Sequence, residues 1–345
     1  MVLLRCLQQI AHFAYYSINK ASYHYLVGYR KKDYMSLSVK NITKNYGDKT
    51  VVDNLSFEIN EPGVYALLGT NGAGKTTTLR IILGMLAKNE GDILWNGKAL
   101  DPVKTNVGYL AEERGLYPKF SLLDQLLYFA KLRNVTKHDA MKRIKYWSDR
   151  LEVNEYIFPP KLKGRTSSKA RRADQLSKGN QQKIQLMATL ISDPELIILD
   201  EPLSGLDPVN TDLFKAIIKE EIAKDKYLIM SSHQMPTIEE FCSEITILNR
   251  GKAVLQGNLN EIKKGYGRVN LFVKSDLDIA SYIHAFGLTI ANKTPSEYHL
   301  KVTGENQAME FLTKLINDKV PIIKFELREP SLHEIFIEKV EDVHE

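Results

Sequence analysis

Residues 63–80 read Gly63-Val64-Tyr65-Ala66-Leu67-Leu68-Gly69-Thr70-Asn71-Gly72-Ala73-Gly74-Lys75-Thr76-Thr77-Thr78-Leu79-Arg80, a short apolar run that breaks into a glycine-rich turn and then into a helical pattern. Gly69, Gly72 and Gly74 have no Cβ, so successive backbone N–H groups can turn inward on one anion, with the positive end of the following helix behind them. Lys75 can then reach the outer phosphates as a point charge, and Thr76 offers a hydroxyl to Mg²⁺. The spacing G-x-x-x-x-G-K-[ST] runs from Gly69 to Thr76, and the apolar Val64–Leu68 before it and the helical residues 77–86 after it supply the context that the pattern needs. The stretch is a phosphate cradle. Kinases, GTPases, helicases and transport ATPases all use one, so the cradle alone does not choose among them.

Composition narrows the class. With 345 residues, 43% hydrophobic and 26% charged, the chain is long enough for two or three domains with buried cores, which excludes a disordered or fibrous protein. The net charge of +5 comes almost wholly from residues 1–34, where Arg5, Lys20, Arg30, Lys31 and Lys32 face a single acid, Asp33. The remainder is near neutral, so no nucleic-acid partner is expected. The two cysteines, Cys6 and Cys242, have no metal-ligand spacing and make no disulfide framework, which points to a reducing compartment.

Residues 6–29 carry one charge, Lys20, but also Gln8, Gln9, His12, Asn19 and His24, a poor composition for crossing a bilayer. No small-residue cleavage site follows a compact apolar core either. Met35 opens a strand-like alternation, so residues 1–34 read as an N-terminal extension, either dispensable or a short interfacial helix.

From Met35 to Ile59 apolar residues alternate, with a turn at Tyr46-Gly47-Asp48-Lys49, which predicts antiparallel strands; Tyr46 beside that turn could lay its ring on adenine. Residues 91–100 predict a hairpin turning at Asn96-Gly97. From Ser121 to Leu151 the apolar period changes to three and four, giving two or three amphipathic helices. Residues 157–175 read as an exposed basic loop, either a solvated face or a contact for lipid headgroups or a partner. Leu196–Leu199 and Tyr227–Met230 have the continuous apolar character of strands buried on both faces, with a helix over 213–222 between them, and 244–256 reads as a strand pair around Arg250-Gly251-Lys252. Residues 267–345 look separate: strands at 269–273, 298–302 and 322–327, with helices at 277–286 and 306–317, suggest a small ferredoxin-like α+β domain.

Asp200-Glu201 closes a buried apolar strand. An aspartate there can hold a magnesium shell, and the neighbouring glutamate can polarise an attacking water. Leu176-Ser177-Lys178-Gly179-Asn180-Gln181 opens a helix whose N-terminus favours an anion. Together with Ser204-Gly205-Leu206-Asp207 and Ser231-Ser232-His233, these five motifs resemble, in order and over about residues 36–260, the ATP-binding subunit of ABC transporters.

That resemblance implies a P-loop NTPase core of α/β class, with an antiparallel β subdomain and an inserted helical subdomain at about 112–190, spanning 35–265, and a C-terminal α+β domain over 267–345. It also implies residue roles. Gly69, Thr70, Asn71, Gly72, Ala73, Gly74, Lys75, Thr76 and Thr77 would bind ATP phosphates and Tyr46 the adenine; Thr76, Asp200 and Glu112 would hold Mg²⁺; Glu201 would be the catalytic carboxylate and His233 the contact to the γ-phosphate. Ser177, Gly179 and Asp207 would complete the site of a second subunit, in a homodimer or heterodimer. Two departures stand out: Ser-Lys-Gly-Asn replaces the commoner Ser-Gly-Gly-Gln, and Glu112, or in the alternative register Glu113, stands where most relatives place glutamine. The loop Glu112–Tyr117 and the ending Pro330–Ile337 resemble the branch serving sodium and antibiotic exporters. With no 18-residue apolar span, the translocation path is expected in a separate permease chain, with this chain peripheral at the cytoplasmic face. The alternative is an ABC-type ATPase acting on a cytoplasmic assembly.

Overall fold

A computed structural model of the chain describes residues 35–113, 115–160 and 170–341. The N-terminal extension 1–34 and most of the centre of the basic stretch lie outside them. The alternation after Met35 forms strands β1 (Leu37–Tyr46) and β2 (Lys49–Ile59), antiparallel and bulged, with Leu37, Val39, Leu55 and Phe57 facing inward. Strand β3 (Gly63–Gly69) follows, buried almost throughout, then the helix of the cradle, α1 (Lys75–Ile82), which stops ahead of Gly84 at φ 66°. Strands β4 (Glu90–Trp95) and β5 (Lys98–Ala99) turn through Asn96 and Gly97, both at positive φ as a tight hairpin requires, and β4 pairs with β1.

Strand β6 (Val107–Leu110) leads into the helical insertion: α2 (Leu122–Leu132), α3 (Lys137–Arg150), the single turn α4 (Asn154–Ile157) and α5 (Lys178–Leu190). Ser121, Thr136 and Ser177 each cap the next helix by accepting from the N–H three residues on. Apolar faces at helical spacing, among them Leu122, Leu126, Ala130, Ile144 and Trp147, meet in one core. The flanks of the basic stretch are more ordered than the composition suggests. Ile157 and Ala173 are buried, residues Ala173–Gln175 form a 3₁₀ turn, and Arg171 lies over the Tyr156 ring at 4.8 Å while its N–H donates to the Tyr156 carbonyl.

Strand β7 (Leu196–Asp200), helix α6 (Pro208–Ile222), strand β8 (Tyr227–Ser232), the single turn α7 (Met235–Ile238), strands β9 (Glu244–Asn249) and β10 (Lys252–Asn258) and helix α8 (Leu259–Tyr266) complete the larger layer. Helix α6 starts five residues earlier than its apolar period, because Asp207 caps it and Pro208 occupies its first position. The six-stranded sheet runs β10-β9-β3-β8-β7-β6, parallel except for the edge strand β10. Burial on both faces explains why β3, β7 and β8 read as unbroken apolar runs.

Beyond it lie β11 (Asn270–Ser275), α9 (Ala280–Ala285), β12 (Thr289–Lys293), β13 (Tyr298–Lys301), α10 (Glu305–Asn317), β14 (Ile322–Arg328) and α11 (Leu332–Glu341). The antiparallel order β12-β13-β11-β14 is that of a ferredoxin-like sheet, with its own core around Leu271, Leu300 and Phe311. Two elements here were not expected. Strand β12 is exposed along its whole length and so carries no alternation to read. Helix α11 buries Leu332 and Phe336 in the core of the larger layer, away from the small sheet's own core.

Candidate active site

Parallel strands β3, β8 and β7 are consecutive in the sheet, so their carboxyl ends lie side by side. This is where an open α/β sheet presents its functional loops. The register pairs Leu68 with Ser232 and Asp200 with Ser231, which brings the cradle, the Asp200-Glu201 pair and His233 to one edge.

The cradle turns as its glycines require. Gly72 and Gly74 have φ of 80° and 106°, and Gly74 is the N-cap of α1 with no side chain capping it, so the first-turn donors of that helix remain available to an anion. Gly74 has a second reason to be glycine: a Cβ there would lie 2.7 Å from the Val51 carbonyl oxygen of β2. Gly251 approaches the same oxygen and donates its N–H to the Ala73 carbonyl at 3.1 Å. The cradle is thus wedged against the antiparallel sheet and the β9–β10 turn. Lys75, 6% exposed, donates to the Gly69 and Thr70 carbonyls at 2.8 and 3.2 Å, and its Nζ lies 3.5 Å from Glu201 Oε1.

Asp200 is 1% exposed. Its Oδ1 accepts from Ser231 Oγ at 2.5 Å and from Thr76 Oγ1 at 3.2 Å, whereas its buried Oδ2 has no hydrogen-bond partner. Desolvation, helped by the neighbouring Glu201 charge, holds its carboxyl above the usual range, against the hydrogen bonds of Ser231 and Thr76 and the charge of Lys75. Glu201 sits in a left-handed conformation at φ 48°, fixed by its N–H donating to Ser231 Oγ at 3.0 Å. That twist turns its side chain towards His233, whose Nδ1 lies 2.8 Å from Oε2, and leaves the buried Oε1 without a hydrogen bond. A buried hydroxyl, a carboxylate with an orphan oxygen, a lysine and a histidine therefore converge within one cluster. Buried polar oxygens normally find partners, so the orphan Asp200 Oδ2, beside a Glu201 Oε1 met only by Lys75 at 3.5 Å, marks a place built for something that supplies positive charge or donors. Thr76 beside Asp200, with few protein ligands in total, fits Mg²⁺, which keeps most of its shell for water and phosphate.

Not every residue singled out in the sequence joins this cluster. Tyr46 ends β1, is 52% exposed, and has Lys44 Nζ 5.0 Å from its ring centre. Ser177 caps α5, and Gly179 lies against Asn210 and Leu206, the segment that begins α6. Asp207 caps α6, and the Asn210 N–H at 2.9 Å holds its carboxyl below the usual range. Glu112 and Glu113 are both exposed on the loop after β6, where the Glu113 carbonyl accepts from Gln185 Nε2 at 3.1 Å. Ser231, which the sequence marks only as part of Ser231-Ser232-His233, ties Asp200 to Glu201. Its place directly after the apolar run Tyr227–Met230 is the one signal that marks it in the sequence, and it is a weak one.

Comparison with known proteins bears on the family of the whole chain. Residues 52–204 match the family described as "ABC transporter", and residues 257–340 match "ATP-binding protein DrrA1-3-like, C-terminal domain". The chain is 41% identical over 310 residues to the ABC transporter ATP-binding protein YhaQ of Bacillus subtilis, covering 90% of this chain and all of that one. It is 34% identical to the Nod factor export ATP-binding protein I of Sinorhizobium fredii, over 66% of this chain and 64% of the relative. A solved ATP-binding subunit of an ABC transporter superposes with a TM-score of 0.59 at 26% identity, covering 67% of this chain and 92% of the other. By fold, by the cradle at its centre and by a relative matched along its entire length, the chain belongs to the ATP-binding proteins of ABC transporters and is an ATP hydrolase.

Proposed function

We propose that this subunit pairs face to face with a second copy, or with a second ABC ATPase, around two ATP molecules, and that the closure drives an export-type permease carried on a separate chain. One observation carries the reading: Lys75, Glu201 and His233 are joined by contacts of 3.5 and 2.8 Å beside a carboxylate whose buried Oδ2 is unpartnered. In this reading Gly69–Thr77 wrap the phosphates, Lys75 leaves its own loop carbonyls for the outer phosphates, and Tyr46 stacks on adenine. Thr76 and Asp200, with Glu112, hold Mg²⁺, which neutralises charge on the phosphate oxygens when bound. Glu201 orients and deprotonates the attacking water, and His233 releases Glu201 to reach the γ-phosphate. Ser177, Gly179 and Asp207 serve the nucleotide of the partner subunit, which accounts for their contacts lying outside the cluster of their own chain.

Residues 35–265 act as the ATPase domain and 267–345 as its accessory domain, with 1–34 as an extension. Two features support a permease beside α2. A cleft of about 330 Å³ opens between β6, α2 and α5, lined by Leu110, Leu116, Phe129 and Leu132, and the neighbouring Tyr117 and Phe120 are 48% and 62% exposed. Among the described residues no helix is long and apolar enough to cross a membrane, which fits a peripheral place at the cytoplasmic face. The relative named for Nod factor export supports the outward direction.

Glu201→Gln tests the reading. The variant should keep ATP binding, lose roughly 10²- to 10⁴-fold in turnover, the range for a positioned base, and run as a dimer in light scattering when given MgATP. Normal hydrolysis would reject Glu201 as the base, and failure to pair would reject the shared site.

A further inference from the structure

Helix α11 leaves the small sheet and joins the core of the ATPase layer, burying Leu332 and Phe336 there and lying against α7 and β10. Its first N–H, that of Leu332, donates to Glu239 Oε2 at 3.1 Å. Glu239 is the residue that ends α7, and its other oxygen takes Lys263 Nζ from α8. A carboxylate at the start of α11 also suits the positive end of that helix. The remainder of α11 is anchored as well. Glu334 accepts from Asn270 Nδ2 at 3.0 Å and from Ser331 Oγ at 2.9 Å, and Tyr266 Oη donates to Glu338 at 2.8 Å.

Helix α7 begins two residues after His233, and Gln234 N–H donates to Ser232 Oγ at 2.9 Å. A single helical turn has almost no stability of its own, so its place is set by what packs against it. On one side that is the sheet; on the other it is α11. We infer that Glu239 is a positioning residue for His233, and that the last helix of the accessory domain, through Glu239 and the Leu332 contact, braces the segment 233–239 and so sets how readily His233 exchanges Glu201 for the γ-phosphate. The inference rests on the reading of His233 given above.

The test uses the full chain with Glu239→Ala, Glu239→Gln, His233→Ala and the double variant His233→Ala/Glu239→Ala, measuring ATPase rate against MgATP concentration together with melting temperature. Because Glu239 acts on His233 through the turn between them and only part of its hydrogen bond's worth reaches the histidine, Glu239→Ala should lower kcat about three- to tenfold while KM stays within about twofold. Glu239→Gln keeps an acceptor for the Leu332 N–H and should recover most of the rate. In the His233→Ala background, Glu239→Ala should cost nothing further. An equal loss in both backgrounds, or a change in KM with kcat intact, overturns the brace. If His233→Ala slows turnover and Glu239→Ala does not, the brace alone fails. If His233→Ala turns over normally, the histidine reading fails and the brace with it. Should Glu239→Ala melt below the assay temperature, Glu239→Asp, which withdraws the carboxylate from Leu332 but keeps its charge towards Lys263, replaces it with the same expected split.

Discussion

Replacing Asp200 with asparagine should make the nucleotide-free protein more stable while weakening its response to MgATP. Asp200 is 1% exposed, one of its oxygens has no partner, and it shares the single buried ammonium of Lys75 with the neighbouring carboxylate of Glu201. An unsatisfied buried polar group costs about 1–3 kcal/mol. Asparagine keeps an acceptor for Ser231 and Thr76 but buries an NH₂ where Oδ2 stood, so only part of that cost is recovered, about 1 kcal/mol. For a domain of this size that is a rise in Tm of about 2–4 °C. The pH dependence gives a second check. Because the folded carboxyl is held above its ordinary value of 3.8, the favourable contribution of its protonated form is complete below that value and is lost as pH rises through the folded one. The gap between variant and parent should therefore be full near neutrality and close on acidification. Scanning calorimetry in EDTA at several pH values reads both quantities. A saturating ligand at 100 times its Kd adds about 2.7 kcal/mol, so MgATP should raise the parent's Tm and the variant's much less. A variant that melts below the parent at neutral pH without nucleotide, or a gap indifferent to pH, would refute the account of Asp200.

Two further outcomes are expected. Gly74→Ala must fit a methyl group 2.7 Å from the Val51 carbonyl at φ 106°; backbone strain of about 1–3 kcal/mol should lower both Tm and ATP affinity, whereas Gly72→Ala, which meets no atom within 4 Å, should cost only its φ of 80°. Tyr46→Ala should raise the Kd for ATP by up to about tenfold to a hundredfold, the worth of one base–aromatic stack, with Tm nearly unchanged because the ring is 52% exposed; nucleotide titration separates the two effects.

Some of this could be read directly from the residues. The cradle was legible because its function is local: glycine conformations, a lysine and a hydroxyl within eight residues make the site with the backbone that joins them. Strands β3, β7 and β8 were legible because burial on both faces leaves only apolar residues, and the hairpin at Asn96-Gly97 because few residues tolerate positive φ. Strand β12 and helix α11 were not. The former is exposed on both faces, and the latter has an apolar face whose partner, α7, lies about a hundred residues earlier in the chain, so its spacing says that it packs but not on what.

The sequence by itself determined which groups are present and, through the glycine, lysine and threonine spacing, that phosphate is bound. Only the tertiary structure decided that β8 lies between β3 and β7, so that Lys75, Asp200, Glu201 and His233 share one edge, that Ser231 ties the two carboxylates, and that the final helix abuts the segment after His233. The physical reason is range. Backbone conformation and burial pattern are written in neighbouring residues, whereas the pairing order of parallel strands and the docking of a helix depend on contacts whose partners no local pattern names.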